Sequence, residues 1–215
     1  MNLIGRDREL TVVREHLRAG RNLVVCGAEG AGKSALVQEA IRDWPGAVYC
    51  ADSATLKTAC ESLLTALKLT VSVADNIARK RAILRATAGK KCVFVFDHVG
   101  WVSPKLLSFL ENIHDAHPMI IVTRSLAWKE IGHLKLILYD FDTLELPPLS
   151  HDAMLELSRA RLGVRESSFE RDLMRLAHGN PGRLVALCEQ ARLGDYNSAQ
   201  LLDLDQRIAN LRLGR

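Results

Sequence analysis

Aromatic side chains are scarce in this 215-residue sequence, at 5% of residues, and neither sign of charge dominates: 29 Lys and Arg stand against 25 Asp and Glu, a formal net charge of +4. So mild an excess does not identify a nucleic-acid binder. No apolar run approaches the ~18 residues that a membrane span needs. The first residues, Met1-Asn2-Leu3-Ile4-Gly5-Arg6-Asp7-Arg8, put charges where a signal peptide carries its apolar core, so a cytoplasmic protein is expected. Cys26, Cys50, Cys60, Cys92 and Cys188 form no C-x-x-C pair. That spacing excludes a zinc cluster or redox pair, and the thiols read as small buried hydrophobes. The histidines show no H-x-x-x-H spacing, which excludes the helical metalloprotease pattern. With 48% hydrophobic and 25% charged residues, the composition is that of an ordinary globular protein.

Apolar runs of strand length alternate with helical patterns. The runs are Asn22–Gly27, Ala47–Cys50, Cys92–Asp97 and Met119–Thr123. Being nearly continuous, they suit strands buried on both faces. Between them, helical spacing predicts helices over Asp7–Ala19, Ser34–Trp44, Thr55–Leu67, Asp75–Ala88 and Pro104–His114, the last with Ser103 as N-cap. Such alternation predicts a parallel sheet with crossover helices. From Lys135 the pattern changes to two short strand-like pieces, Leu134–Tyr139 and Thr143–Leu146, before Pro147-Pro148. Beyond these, helices are expected over Asp152–Leu162, with Ser150 as cap and Gly163 after its end, from a capping box at Ser167–Glu170 to about His178, from Asn180-Pro181 to Gly194, and over Leu201–Leu211 toward the C-terminus. The expected division is an α/β domain over residues 1–148 and a small helical domain over 149–215.

Gly27-Ala28-Glu29-Gly30-Ala31-Gly32-Lys33-Ser34 matches G-x-x-x-x-G-K-[ST] directly after a strand-like run and directly before an amphipathic helix. Glycines let such a loop curl until successive backbone N–H groups face a phosphate. The following helix adds positive potential, Lys33 reaches the outer phosphates and Ser34 offers an oxygen to magnesium. A partner acid is expected at the tip of another buried strand, and Cys92-Val93-Phe94-Val95-Phe96-Asp97 supplies it. Where a second acid commonly follows, this chain has His98. A neutral imidazole there can accept a proton from water, and it can equally mark weak or lost hydrolysis.

These residues resemble the AAA+ and STAND branch of P-loop ATPases, close to the NB-ARC, MalT-like and archaeal or origin-recognition ATPases. Ile4-Gly5-Arg6-Asp7-Arg8-Glu9-Leu10 is similar to that group's h-G-R-x-x-E-L motif, whose backbone and apolar residue lie against adenine. Ile121-Val122-Thr123-Arg124-Ser125 resembles sensor 1, implying that Thr123 or Arg124 lies near the terminal phosphate. Leu146–Ser150 resembles the connector into a helical lid, and Gly179-Asn180-Pro181-Gly182 the lid's G-x-P motif. The resemblance implies that Pro181 touches the nucleotide and that Arg183 is a sensor 2 candidate. It implies a P-loop NTPase three-layer sandwich with a C-terminal helical lid. The nucleotide-binding set is then Ile4, Gly5, Arg6, Gly27, Glu29, Gly30, Ala31, Gly32, Lys33, Ser34, Ala35, Pro181 and Arg183. Lys33, Asp97, His98 and Arg124 are catalytic, and Ser34 and Asp97 hold magnesium.

The expected cofactors are ATP and Mg2+, and the expected function is a nucleotide-dependent switch or assembly ATPase. The alternative is an adapter that holds nucleotide and scarcely hydrolyses it. A protein partner, a nucleotide-dependent homo-oligomer and DNA are the candidate partners. A small-molecule kinase fits less well, because its lid is expected as an insertion within the sheet domain. Arg79-Lys80-Arg81 and Arg85 read as a solvated helix face, and Trp101 and Trp128 as loop aromatics packed over a sheet edge.

Overall fold

The computed structural model describes residues 3–71 and 75–192. The expected helix at Leu201–Leu211 lies outside the described residues. Chain order is α1 (Asp7–Ala19), β1 (Leu23–Cys26), α2 (Lys33–Ile41), β2 (Ala47–Cys50), α3 (Leu56–Ala66), α4 (Asn76–Thr87), β3 (Val93–Val99), α5 (Pro104–His114), β4 (Met119–Thr123), α6 (Trp128–Ile131), β5 (Asp142–Glu145), α7 (His151–Leu162), α8 (Ser167–Ala177) and α9 (Pro181–Arg192). All strand pairings are parallel, and the five-stranded order is β2-β3-β4-β1-β5. The fold is the expected α/β P-loop architecture with a helical C-terminal region.

Two compact units divide the described chain, and their boundary is not one cut. Most of residues 8–146 form the sheet unit, whereas residues 29–32 cluster with the described parts of 1–7 and 147–215 in a helical unit. In the sheet unit, alternation assigns side chains to faces. Val24, Cys26, Val48, Cys50, Phe94, Phe96, Met119 and Ile121 pack with Leu63 of α3 and Leu106, Phe109 and Leu110 of α5 in one buried cluster. Leu23, Val25, Val95, Ile120 and Val122 point to the opposite face and are equally buried. Strands covered on both sides explain why their sequence runs are continuously apolar. Thr55, Asp75 and Ser103 accept from Thr58, Ala78 and Leu106 N–H, so each helix start is satisfied by a side-chain cap. In the helical unit, Ala153, Met154, Phe169, Leu173, Leu184, Leu187 and Cys188 form a second core, with Ser150 capping α7.

All five thiols are free and buried. Burial pushes those of Cys60 and Cys188 up to about 11, so they remain protonated at neutral pH. Among the described residues, no helix is long and apolar enough to cross a membrane.

Three local expectations are corrected. Leu134–Tyr139 forms no strand: residues His133–Leu136 and Leu138–Asp140 are 3-10 turns. Gly132 ends α6 at φ +56°, after which Leu134 and Ile137 are buried at a spacing of three, while Leu136 and Tyr139 are 61% and 82% exposed. That period fits a 3-10 turn and not strand alternation. The Ser167–Glu170 capping box does not form, because Glu170 accepts Arg159 Nε at 2.9 Å and Nη2 at 2.8 Å, which lowers its carboxyl pKa. A bidentate charged pair outweighs one reciprocal cap. The Arg79 face is also not uniformly solvated: Arg79 is largely covered and pairs with Glu61 at 3.2 Å, while α4 buries Ile83 and Thr87 and leaves Ile77 exposed.

Truncating the fully buried Phe109 to Ala is expected to cost about 3–5 kcal/mol of unfolding free energy. Leu136→Ala is expected to change it by less than about 0.5 kcal/mol. Urea denaturation of both variants checks the burial assignment and the 3-10 correction together.

Candidate functional site

The carboxyl ends of β1, β3 and β4 are neighbours in the sheet, with Val24 beside Ile121 and Ile121 beside Phe96. Ligands of open parallel sheets bind at such carboxyl ends. After β1 the chain turns through Gly27 at φ +146°, Gly30 at +78° and Gly32 at +91° and enters α2 at Lys33. Only glycine adopts three such angles in six residues without strain. Gly27 N–H donates to Arg124 O at 3.3 Å, tying the loop's start to the residue after β4.

The loop's carbonyls are individually held. Within the sheet unit, Lys33 Nζ donates to Gly27 O at 2.7 Å and Ala28 O at 2.8 Å. Within the helical unit, Asn180 Nδ2 donates to Glu29 O at 2.7 Å, Gly182 N–H to Gly30 O at 2.8 Å, and Arg6 Nη2 to Ala31 O at 3.2 Å. In a trans peptide the carbonyl and the following N–H point in opposite directions. Holding the carbonyls of residues 29–31 therefore directs each N–H of Gly30, Ala31 and Gly32 away from the donor that holds its own peptide.

The glycines at this contact are steric necessities. A Cβ on Gly182 would lie 2.7 Å from Gly30 Cα, and one on Gly30 2.5 Å from Asn180 Oδ1. Asn180 also caps α9, accepting from Arg183 N–H at 2.9 Å. Pro181 lies beside Gly32, whose added Cβ would be 3.8 Å from Pro181 Cγ. Arg6 is buried, and its guanidinium also donates to Pro147 O at 2.6 Å. Ile4 packs on the helical core, and Gly5, at φ +67°, has no room for a Cβ beside Ala153. The h-G-R segment thus braces the loop and the start of α7.

In the sheet unit, Asp97 is fully buried near the end of β3. Its Oδ1 accepts His98 N–H at 2.7 Å, and its Oδ2 accepts the Tyr49 hydroxyl at 2.5 Å. Gln38 Nε2 in turn donates to Tyr49 Oη at 2.7 Å. Burial pushes the Tyr49 phenol up, reinforced by the Asp97 carboxylate, so it stays protonated. One extra residue bulges between Phe96 and Val99, placing the His98 side chain outward at 71% exposure with φ +55° and Nδ1 3.4 Å from Asp97 Oδ1. Thr123 is buried and donates to Ser125 O at 3.4 Å, whereas Arg124 is exposed. Ser34 and Ala35 lie in the first turn of α2.

Among the described residues, no three His, Cys, Asp or Glu side chains gather to hold a metal. The oxygens of Ser34 and Asp97 nevertheless suit magnesium, which keeps several waters and takes its remaining ligands from phosphate. Sequence reasoning missed Tyr49 and Gln38, and it read Asn180-Pro181 as a helix start and Pro181 as a nucleotide contact without giving Asn180 any part in holding the loop. Trp101 and Trp128 are about half exposed and stand edge to face at 6.3 Å; the Trp101 ring covers Gly132.

Residues 2–128 match the AAA ATPase domain family, and the chain belongs to it. It carries an ATPase domain of the AAA class, the class that its P-loop fold and site define. No curated protein matches the chain. Among solved structures, it is similar to a STAND protein with a tetratricopeptide repeat sensor from Pyrococcus horikoshii, at 17% identity and TM-score 0.61 over 96% of this chain and 32% of that one. It is also similar to the Aeropyrum pernix ORC1 protein in complex with DNA, at 14% identity and TM-score 0.70 over 96% of this chain and 66% of that one. The Walker-type ATPase of Pyrococcus abyssi gives 17% identity and TM-score 0.69 over 99% and 74%. The chain thus spans about a third of the STAND protein and two thirds of the ORC1 protein.

Gly182→Ala is expected to break the bond from residue 182 N–H to Gly30 O and to lower stability by about 1–3 kcal/mol through overpacking. Gly100 meets nothing within 4 Å. Gly100→Ala is expected to stay within about 0.5 kcal/mol of wild type. Amide exchange at residue 182 and denaturant unfolding read the two effects.

Proposed function

We propose that this chain is an ATP-driven switch or assembly ATPase, with residues 1–148 as its nucleotide-binding domain and 149–215 as its lid. The supporting observation is the direct bonding of the loop tip to the start of α9, through Glu29 O to Asn180 and Gly30 O to Gly182. Any shift of the tip on binding phosphate is passed to α9 by these bonds, which is what a nucleotide-dependent switch needs.

In this reading the amides of Gly30–Gly32 and the first turn of α2 with Ala35 receive the phosphates, and Lys33 exchanges the Gly27 and Ala28 carbonyls for phosphate oxygen. Ser34 and Asp97 hold magnesium, which when bound neutralises charge on the outer phosphates. Arg124 meets charge at the terminal phosphate, and a neutral His98 accepts the proton of the attacking water. Ile4, Gly5, Arg6, Pro181 and Arg183 complete the nucleotide contacts, Arg6 by bracing the loop.

A second reading, a weakly hydrolysing adapter, draws on one observation: the group following Asp97 is an exposed imidazole and not a carboxylate. A protein partner and nucleotide-dependent self-association accompany the first reading. The DNA held by the Aeropyrum ORC1 protein makes DNA a candidate partner for either. The reading places the protein in the cytoplasm.

Lys33→Ala is expected to weaken ATP binding about 10–100-fold in calorimetric titration while the chain stays folded, since a hydrogen bond to a charged group contributes about 1.5–3 kcal/mol. Unchanged affinity refutes the phosphate role. In a phosphate-release assay, Asp97→Asn is expected to abolish magnesium-dependent turnover and His98→Glu to raise it. A slower His98→Glu variant, beside a fast wild type, instead assigns His98 as a competent base. Light scattering with a non-hydrolysable ATP analogue, with and without DNA, separates an assembly ATPase from a monomeric adapter.

A further inference from the structure

Tyr49 and Gln38 belong to no part of the phosphate-loop pattern, yet they connect its helix to Asp97. Tyr49 is opposite Val95 across the β2–β3 ladder, so the alternation of β3 places Asp97 on the same sheet face, within diagonal reach of a long side chain. Gln38 lies four residues after Ser34 on α2, one turn along the same helix face. The series Gln38 Nε2 to Tyr49 Oη at 2.7 Å, then Tyr49 Oη to Asp97 Oδ2 at 2.5 Å, is therefore a polar connection between the helix carrying Ser34 and the strand carrying Asp97.

Its direction is fixed. Gln38 Nε2 only donates, so it takes a lone pair of the Tyr49 oxygen, and the single phenolic proton is directed at Asp97 Oδ2. The opposite oxygen, Oδ1, is fixed by His98 N–H. With both oxygens anchored, the carboxylate plane is set while each oxygen keeps a lone pair. A hydrophobic residue at position 49 would fill the space without setting that plane.

We propose that Tyr49 is a positioning residue for magnesium: oriented by Gln38, it aims the Asp97 carboxylate at the hydrated metal of Mg–ATP. The inference rests on the nucleotide-site reading above and deepens it. Outer hydrogen-bond partners of metal ligands commonly govern metal affinity by about 10–100-fold. The proposed effect is on the metal and not on the nucleotide, which separates it from a purely structural role.

The test uses Tyr49→Phe, which keeps the ring and removes the hydroxyl, and Gln38→Leu at an exposed position that does not endanger folding. ATP affinity is measured calorimetrically with EDTA, and Mn2+ affinity of the protein–ATP complex by electron paramagnetic resonance. Tyr49→Phe is expected to bind metal-free ATP as wild type does and Mn2+ about tenfold more weakly. Its half-saturating magnesium concentration for turnover rises by the same factor. Gln38→Leu is expected to shift Mn2+ affinity in the same direction by about threefold. Wild-type Mn2+ affinity in a folded Tyr49→Phe variant overturns the inference, as does an equal fall of metal-free ATP affinity. Should Tyr49→Phe not fold, unchanged Mn2+ affinity in Gln38→Leu overturns it alone. A wild-type chain that binds no ATP removes the nucleotide-site reading itself, an outcome distinct from either.

Discussion

Three consecutive carbonyls at the tip of the loop after β1, those of Glu29, Gly30 and Ala31, are held by Asn180, Gly182 and Arg6. Peptide planarity lets that anchoring set the direction of the three following amides, so the loop's shape depends on Arg6 and on Asn180 and Gly182, some 150 positions away, as much as on its own glycines. The backbone approach that permits it requires Gly30 and Gly182 together, since a methyl on either side collides. This explains why the tip clusters with the helical unit while its two ends remain with β1 and α2.

Asp97 shows the same economy of means. A buried carboxylate needs donors on both oxygens to offset its desolvation. It finds one in its own next backbone N–H and the other in a tyrosine on the neighbouring strand. Each donor also restricts rotation of the carboxylate. Stabilising the buried charge and orienting it are here one arrangement.

Much of this was legible in the sequence because it is written locally. Lys33 and Ser34 stand in an eight-residue pattern, Asp97 ends a five-residue apolar run, and Ser103-Pro104 announces α5. What was not legible depends on non-local pairing. Tyr49 gains meaning only once β2 is known to lie beside β3, and Asn180 only once α9 is known to start against residue 29. The strand pattern read into Leu134–Tyr139 failed because the residues that become buried are Leu134 and Ile137, three apart, while the alternating Leu136 is left exposed. The capping box at Ser167–Glu170 failed because Arg159, on a different helix, claimed the glutamate.

The single-residue bulge between Phe96 and Val99 carries a consequence for how this segment tolerates change. Phe96 and Val99 share one buried cluster although three positions separate them. The extra residue, not simple alternation, is what returns Val99 to the face of Phe96. It does so by carrying the backbone through φ +55° at His98, an angle that β-branched or bulky residues adopt only with strain and glycine or asparagine adopts readily. Beyond it, Val102 N–H donates to Ile131 O at 3.1 Å and Val102 O accepts from His133 N–H at 3.2 Å, which holds the segment after the bulge in place. The backbone angle, more than the chemistry of the outward side chain, is what a replacement at this turn of the sheet must satisfy.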